Sequence, residues 1–370
     1  SVSTQNSAPV ANAGPDQATF VGQVVTLDGS QSSDVDGDLL SYAWAFTAKP
    51  AGSAATLSNP AAVKPTFSVD KAGTYVVQLI VSDGTANSAP DTVSVSTQNS
   101  APVANAGPDQ AVFVGQTVTL NGGQSSDVDG DPLAYLWAFT SVPAGSLAAL
   151  SNPTTVAPSF IVDKAGTYVV QLIVNDGTAN SAPDTVSAST QNSAPVANAG
   201  PDQATFVGQV VTLDGSQSSD VDGDPLAYLW AFTSMPAGSV ATLSNPTAVK
   251  PTFTVDKAGT YVVQLIVSDG TANSAPDTVS VSTQNSAPVA NAGPDQAVFV
   301  GQTVTLDGSQ SSDVDGDPLA YLWAFTAKPA GSAATLSNPT AVKPTFTVDK
   351  AGTYVVQLIV SDGTANSAPD

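Results

Sequence analysis

A period of 93 residues limits what this chain can fold into more than any other feature. The stretch Ser32-Ser33-Asp34-Val35-Asp36-Gly37-Asp38 returns at 125–131, 218–224 and 311–317, and residues 1–91 differ from 280–370 at seven positions. Length alone would give 370 residues two or three domains. The repeat sets the count at four, each large enough to bury one core. Following the period, the repeats run 7–99, 100–192, 193–285 and 286–370, the last without its final strand, and 1–6 reads as the tail of a preceding repeat. Such near-identity marks recent duplication, so sameness among copies does not rank positions by importance. The frame suggests an excerpt from a longer array. A rival reading has the amino-terminal strand of a neighbouring molecule complete the fourth repeat, giving head-to-tail association by strand addition.

All 31 acidic residues are Asp and all nine basic residues are Lys; Glu, Arg, His and Cys are absent. Helices favour Glu, Arg and Lys, whereas turns favour Asp, Gly, Pro, Ser and Asn, so this alphabet predicts an all-β fold. A net charge of −22 argues against nucleic acid and anionic membrane surfaces as partners and fits a soluble surface protein that attracts divalent cations. Without Cys there is no disulfide framework to supply stability. No apolar run reaches membrane-spanning length, so membrane insertion is not expected.

Within a repeat, strands are expected near 18–21, 24–27, 39–47, 55–57, 65–69, from 75 onward, and 91–96. Alternation turns Leu40, Tyr42, Trp44 and Phe46 inward, and likewise Tyr75, Val77, Leu79 and Val81. Trp44 and its copies therefore read as core rather than as sugar-stacking platforms. Odd repeats carry Thr19 with Val24 and even repeats Val112 with Thr117, a swap that suggests either a pair across the turn or duplication of a two-repeat unit. The opposite face carries Val76, Ile80 and, in later repeats, Leu136, Leu229 and Leu322. Apolar side chains there suggest lateral packing against other chains. About seven short strands, one core Trp and an Asp70, Gly73, Tyr75 spacing similar to a tyrosine corner predict four tandem immunoglobulin-like β-sandwiches in an extended rod.

The segments Ala11-Asn12-Ala13-Gly14, Val25-Thr26-Leu27-Asp28-Gly29-Ser30, Ser33-Asp34-Val35-Asp36-Gly37-Asp38, Tyr42-Ala43-Trp44, Gly73-Thr74-Tyr75 and Leu79-Ile80-Val81-Ser82-Asp83-Gly84 together resemble the PKD (polycystic kidney disease) domain in every repeat. Many PKD domains place a Phe-Gly-Asp-Gly turn after the Trp. Here Lys49-Pro50-Ala51-Gly52-Ser53 follows instead, similar to a bacterial PKD-like variant. The resemblance implies an extracellular or cell-surface spacer or adhesion module.

Calcium takes about six to eight hard oxygen ligands, and carboxylates at alternating positions of a Gly-containing loop can converge on one ion. Asp34, Asp36 and Asp38 have that spacing but lack the Glu that closes an EF-hand. The sandwich places this loop at the end where the incoming linker and the Asp83-Gly84 turn lie. The candidate Ca2+ ligands are therefore Asn12, Asp34, Asp36, Asp38 and Asp83. Their copies are Asn105, Asp127, Asp129, Asp131 and Asp176; Asn198, Asp220, Asp222, Asp224 and Asp269; and Asn291, Asp313, Asp315, Asp317 and Asp362. A solvated Asp-Gly turn without metal is the competing reading.

Catalysis needs a group poised near neutral pH, a nucleophile with its base, or an open metal site. Nothing in this alphabet supplies one, so the expectation is a non-enzymatic, calcium-stiffened stalk, filament or sheath. The alternative is an accessory region of a larger secreted protein, binding surfaces or surface glycans.

Overall fold

The computed structural model describes residue 3 and residues 5–370, so residues 1, 2 and 4 of the predicted tail at 1–6 lie outside the described residues. The chain divides into two compact units, 1–191 and 192–370, each holding two repeats. The strands of the first repeat are β1 (Gln17–Thr19), β2 (Val24–Thr26), β3 (Ser41–Ala48), β4 (Thr66–Ser68), β5 (Thr74–Ser82) and β6 (Asp91–Thr97). The second has β7 (Gln110–Val112), β8 (Thr117–Thr119), β9 (Ala134–Ser141), β10 (Ser159–Ile161), β11 (Thr167–Asn175) and β12 (Asp184–Thr190). The third has β13 (Gln203–Thr205), β14 (Val210–Thr212), β15 (Ala227–Ser234), β16 (Thr252–Thr254), β17 (Thr260–Ser268) and β18 (Asp277–Thr283). The fourth has β19 (Thr303–Thr305), β20 (Ala320–Ala327), β21 (Thr345–Thr347) and β22 (Val355–Ser361). No helix occurs among the described residues, and none is long and apolar enough to cross a membrane.

In each complete repeat a four-stranded sheet, ordered β1-β6-β5-β3 in the first, faces a two-stranded sheet, β2-β4. Only β1 and β6 run parallel, with Gln17 opposite Val95 and Thr19 opposite Thr97. Period-two patterning explains the central strand: Tyr75, Val77, Leu79 and Val81 of β5 are fully buried while Val76, Gln78 and Ile80 between them are half-buried. Trp44 sits opposite Leu79 on β3 and is buried, as the alternation requires; its indole N–H donates to the Ala62 carbonyl at 3.0 Å. Gly29 lies beneath it, and a β-carbon there would stand 3.0 Å from the Trp44 ring and 3.2 Å from Leu79 and Tyr42.

The tyrosine corner is present. The Tyr75 hydroxyl donates to Asp70 Oδ1 at 2.8 Å and accepts the Lys71 N–H at 2.9 Å. The Pro50-Ala51-Gly52-Ser53 loop folds onto the same carboxylate, with the Ser53 hydroxyl and the Ala54 N–H each donating at 2.6 Å.

The structure corrects two local expectations. Residues 55–57 form no strand, because no ladder partner lies beside them; one bond nearby, Ser58 N–H to the Thr66 carbonyl at 2.8 Å, does not make a ladder. Six strands per complete repeat result. Positions 19 and 24 are not a cross-strand pair, since β1 bonds to β6 and β2 to β4 in opposite sheets. The swap instead trades Val112, which is buried, against Val24, which is exposed.

Among the described residues, the fourth repeat forms no counterpart of β1 or β6. Asp370 still takes the place of Asp91, exchanging backbone bonds with Leu358 at 2.9 and 3.0 Å.

Candidate metal centre

The carboxylate loop is built by an Asp that folds back on its own backbone. Asp127 Oδ1 accepts the N–H groups of Asp129 at 2.8 Å, Gly130 at 3.0 Å and Asp131 at 3.4 Å. Gly130, at φ +87°, supplies the left-handed residue that this tight turn requires. Asp220 and Asp313 do the same in their repeats, and Asp34 accepts the N–H groups of Asp36 and Asp38.

One oxygen of that Asp is thereby engaged, and the other is free. Asp127 Oδ2 and Asp129 Oδ1 are both sealed from solvent with no hydrogen-bond partner, as are Asp220 Oδ2 with Asp222 Oδ1 and Asp313 Oδ2 with Asp315 Oδ1. In the first repeat Asp34 Oδ2 is orphaned in the same way. In the second, third and fourth repeats one carboxylate oxygen from each of the three Asp residues lies within 4.8 Å of the other two. Oxygens bound about 2.3–2.6 Å from a single Ca2+ are at most about 5 Å apart, so this spacing fits one ion. Without a cation the like charges repel by about 3 kcal/mol per pair at an effective dielectric near 20, and by less where water reaches the exposed third Asp.

The linker is wired into the same loop. Ser100 donates its N–H to Asp129 Oδ2 at 2.6 Å, and the Asn99 amide donates to Asp176 Oδ2 at 2.9 Å. Asn6 and Ser7 treat Asp83 and Asp36 identically, as do Asn192 and Ser193 with Asp269 and Asp222, and Asn285 and Ser286 with Asp362 and Asp315. Asp176 Oδ1 closes its own turn by accepting Thr178 and Ala179 N–H groups, each at 2.6 Å. Chiefly the Ala179 N–H, and next the Asn99 amide, hold this carboxyl below its usual range.

The candidate ligands therefore separate into groups. In the second, third and fourth repeats the three loop carboxylates come together. Asp83, Asp176, Asp269 and Asp362 lie at the same end but have both oxygens engaged. Asn12, Asn105, Asn198 and Asn291 use their side-chain oxygens to cap the glycine two residues on. Sequence reasoning passed over Asn99 and Ser100, whose partners are 77 and 29 positions away. It also passed over Asp91, whose Oδ2 accepts the Ala13 N–H at 2.7 Å.

Comparison with known proteins gives the family. A model described as a PKD domain matches 99–189, 192–282 and 285–369, and a second model, also described as a PKD domain, matches 13–97. The Mus musculus dyslexia-associated protein KIAA0319-like protein is 31% identical over 380 residues, covering 99% of this chain and 36% of that protein. Vibrio cholerae pre-pro-metalloprotease PrtV is 33% identical over 177 residues, 47% of this chain and 17% of that protein. Chitinase A of Pseudoalteromonas piscicida is 38% identical over 144 residues, 38% of this chain and 16% of that protein. The chain thus spans about a third or less of these relatives. It belongs to the PKD domain family and carries the domain in four tandem copies.

Proposed function

We propose that these repeats form a non-catalytic spacer of an extracellular or cell-surface protein, in which each carboxylate loop takes a structural Ca2+ and so stiffens the junction with the segment before it. The observation that carries this reading is the pair of sealed, unpartnered oxygens on Asp127 and Asp129, because Asp129 also holds the linker through Ser100. Asp127, Asp129 and Asp131 would hold the ion, and its charge would remove the repulsion among them. The protein's own part is to preset the loop through the Asp127 turn and to seal two of the oxygens from water.

The relatives support the extracellular setting: PrtV and chitinase A share this region over a small fraction of their length. They also favour a second reading, an accessory region that helps a larger secreted protein engage a surface. Calorimetric titration of the whole chain with CaCl2, with MgCl2 as control, tests the first reading. The expected result is saturable Ca2+ binding and a melting temperature that rises with Ca2+ and returns on chelation. No heat of binding and a melting curve indifferent to chelator would remove the calcium role and leave the accessory reading.

A further inference from the structure

We propose that the outer face of the four-stranded sheet is a self-association surface and that its occupant is the same face of a second copy of this chain. Alternation turns every second side chain of β9, β11 and β12 into the core and the others outward. The outward set consists of Ala, Leu, Thr, Val, Gln, Ile, Asn and Ser, with no charged residue among them. Asp184, the acidic residue of β12, instead holds the Ala106 N–H with its Oδ2 at 2.8 Å. The third repeat has the same arrangement on β15, β17 and β18, where Asp277 Oδ2 holds the Ala199 N–H at 2.7 Å. Depletion of charge, more than apolarity in bulk, distinguishes the core of an interface from the remaining surface. In a chain of net charge −22, two copies that meet here bring no carboxylate into the contact, whereas their acidic turns would repel.

The relief of the face also suits a second copy of itself. Leu136 stands between Ala134 and Ala138 on the outer side of β9, opposite Ile173 of β11, and is 55% exposed. Leu229 stands likewise between Ala227 and Ala231 opposite Ile266, and Leu322 between Ala320 and Ala324 opposite Ile359, each again 55% exposed. A two-fold axis through the contact would seat each protruding leucine on an alanine of the other copy, so that one surface complements itself. Sheets packed face to face interdigitate their side chains in this way. The first repeat carries Ala43 at this position, opposite Ile80, and lacks the protrusion although its strand is the same length.

The size of the face sets the strength. Three strands about 4.8 Å apart and about eight residues long make a face of about 14 by 26 Å, roughly 400 Å². A standard stable interface buries about 800 Å² on each partner. One pair of repeats should therefore hold weakly, and association should become visible only at high concentration. The contact carries no charge while the two chains repel as wholes, so association should strengthen as salt screens the carboxylates. An interface built on ion pairs would respond in the opposite sense. No metal takes part, and the proposal stands apart from the calcium reading.

Sedimentation velocity of the 370-residue chain in chelator, over a concentration series at low and at molar salt, tests it. The expected result is concentration-dependent oligomers, more of them in molar salt, that are lost when Leu136→Ala, Leu229→Ala and Leu322→Ala are combined. Each of these changes installs the residue that the first repeat already carries there, so the variant should fold, and a melting curve like the parent's checks that it does. Val24→Thr with Val210→Thr removes two valines, each 64% exposed, from the two-stranded sheets and installs the residue of the even repeats. That control should leave the oligomers unchanged. A chain that stays monomeric at every concentration and salt overturns the proposal, as do oligomers that survive the triple leucine variant or vanish in the valine control. Oligomers that dissolve as salt rises also overturn it and point to contacts between charges.

Discussion

Ser100 donates its backbone N–H to Asp129 Oδ2 at 2.6 Å, so one carboxylate serves the linker with one oxygen and leaves the other for a cation. This division separates two substitutions that would otherwise look alike. Asp129→Ala should lose Ca2+ stabilisation of its repeat and also expose the Ser100 amide to exchange in the absence of metal. Asp131→Asn should lose the Ca2+ effect while the Ser100 amide stays protected. Hydrogen exchange with and without Ca2+ reads both; equal protection of Ser100 in the two variants would show that Asp129 does not hold the linker.

Gly29 tests the core beneath Trp44. A methyl group would stand 3.0 Å from the Trp44 ring and 3.2 Å from Leu79 and Tyr42, all held in well-packed positions. Gly29→Ala should destabilise the first repeat by about 1–3 kcal/mol, the usual cost of overpacking. The same change at exposed Gly22, where nothing lies within 4 Å, is strained only through its φ of +87°. Thermal unfolding with Trp fluorescence measures the difference, and equal effects at both positions would contradict the packing account.

The strands that proved legible in the sequence were those whose pattern a core enforces. β3 and β5 are bounded by turns and alternate cleanly, because a one-residue slip would expose every Val and Leu they bury. Residues 55–57 have strand-like composition but no neighbour to bond with, and composition cannot reveal that. The convergence of the loop carboxylates in the last three repeats was legible because Asp at alternating positions around a Gly turns its carboxylates toward one side of a tight loop. The clamp formed by Asn99 and Ser100 was not, since polar residues in a linker carry no periodicity and their partners are set by the fold. The exchange of Thr19 and Val24 misled for a related reason: nearness in sequence suggested pairing, whereas the two strands belong to opposite sheets.

The corner at Asp70 should govern acid stability. Hydrogen bonds from Ser53, and next from Tyr75, draw its carboxyl from the usual 3.8 down to about 2. A depressed carboxylate contributes stability that is complete above the unfolded value and is lost as the pH falls through the folded one. The loss should therefore fall between about pH 4 and pH 2. Ser53→Ala should lower the melting temperature near neutrality, where the ionised carboxylate contributes its stability, and make the acid fall between about pH 4 and pH 2 smaller. A profile whose acid fall equals that of the parent would show that the Ser53 bond does not set it.

The second repeat differs from its neighbours in one electrostatic detail. Lys64, Lys250 and Lys343 each lie 2.6 Å from Asp28, Asp214 and Asp307, and each pair is about half exposed. In the second repeat both partners are replaced, by Asn121 and Ala157. Asn121 keeps the local duty of the Asp, accepting the Gly123 N–H at 2.9 Å as Asp28 accepts that of Ser30 at 2.9 Å. What is missing is only the ion pair, and exposed pairs contribute little because water screens them and two side chains must be ordered. Asn121→Asp alone adds a charge to a chain already at −22, so it should be neutral or slightly destabilising. Ala157→Lys alone has no carboxylate to meet. The double variant should be more stable than the sum of the two by a small margin that disappears in molar salt, where screening acts within about 3 Å. A double-mutant cycle by thermal unfolding measures that coupling, and a coupling that persists in molar salt would refute a screened, exposed pair.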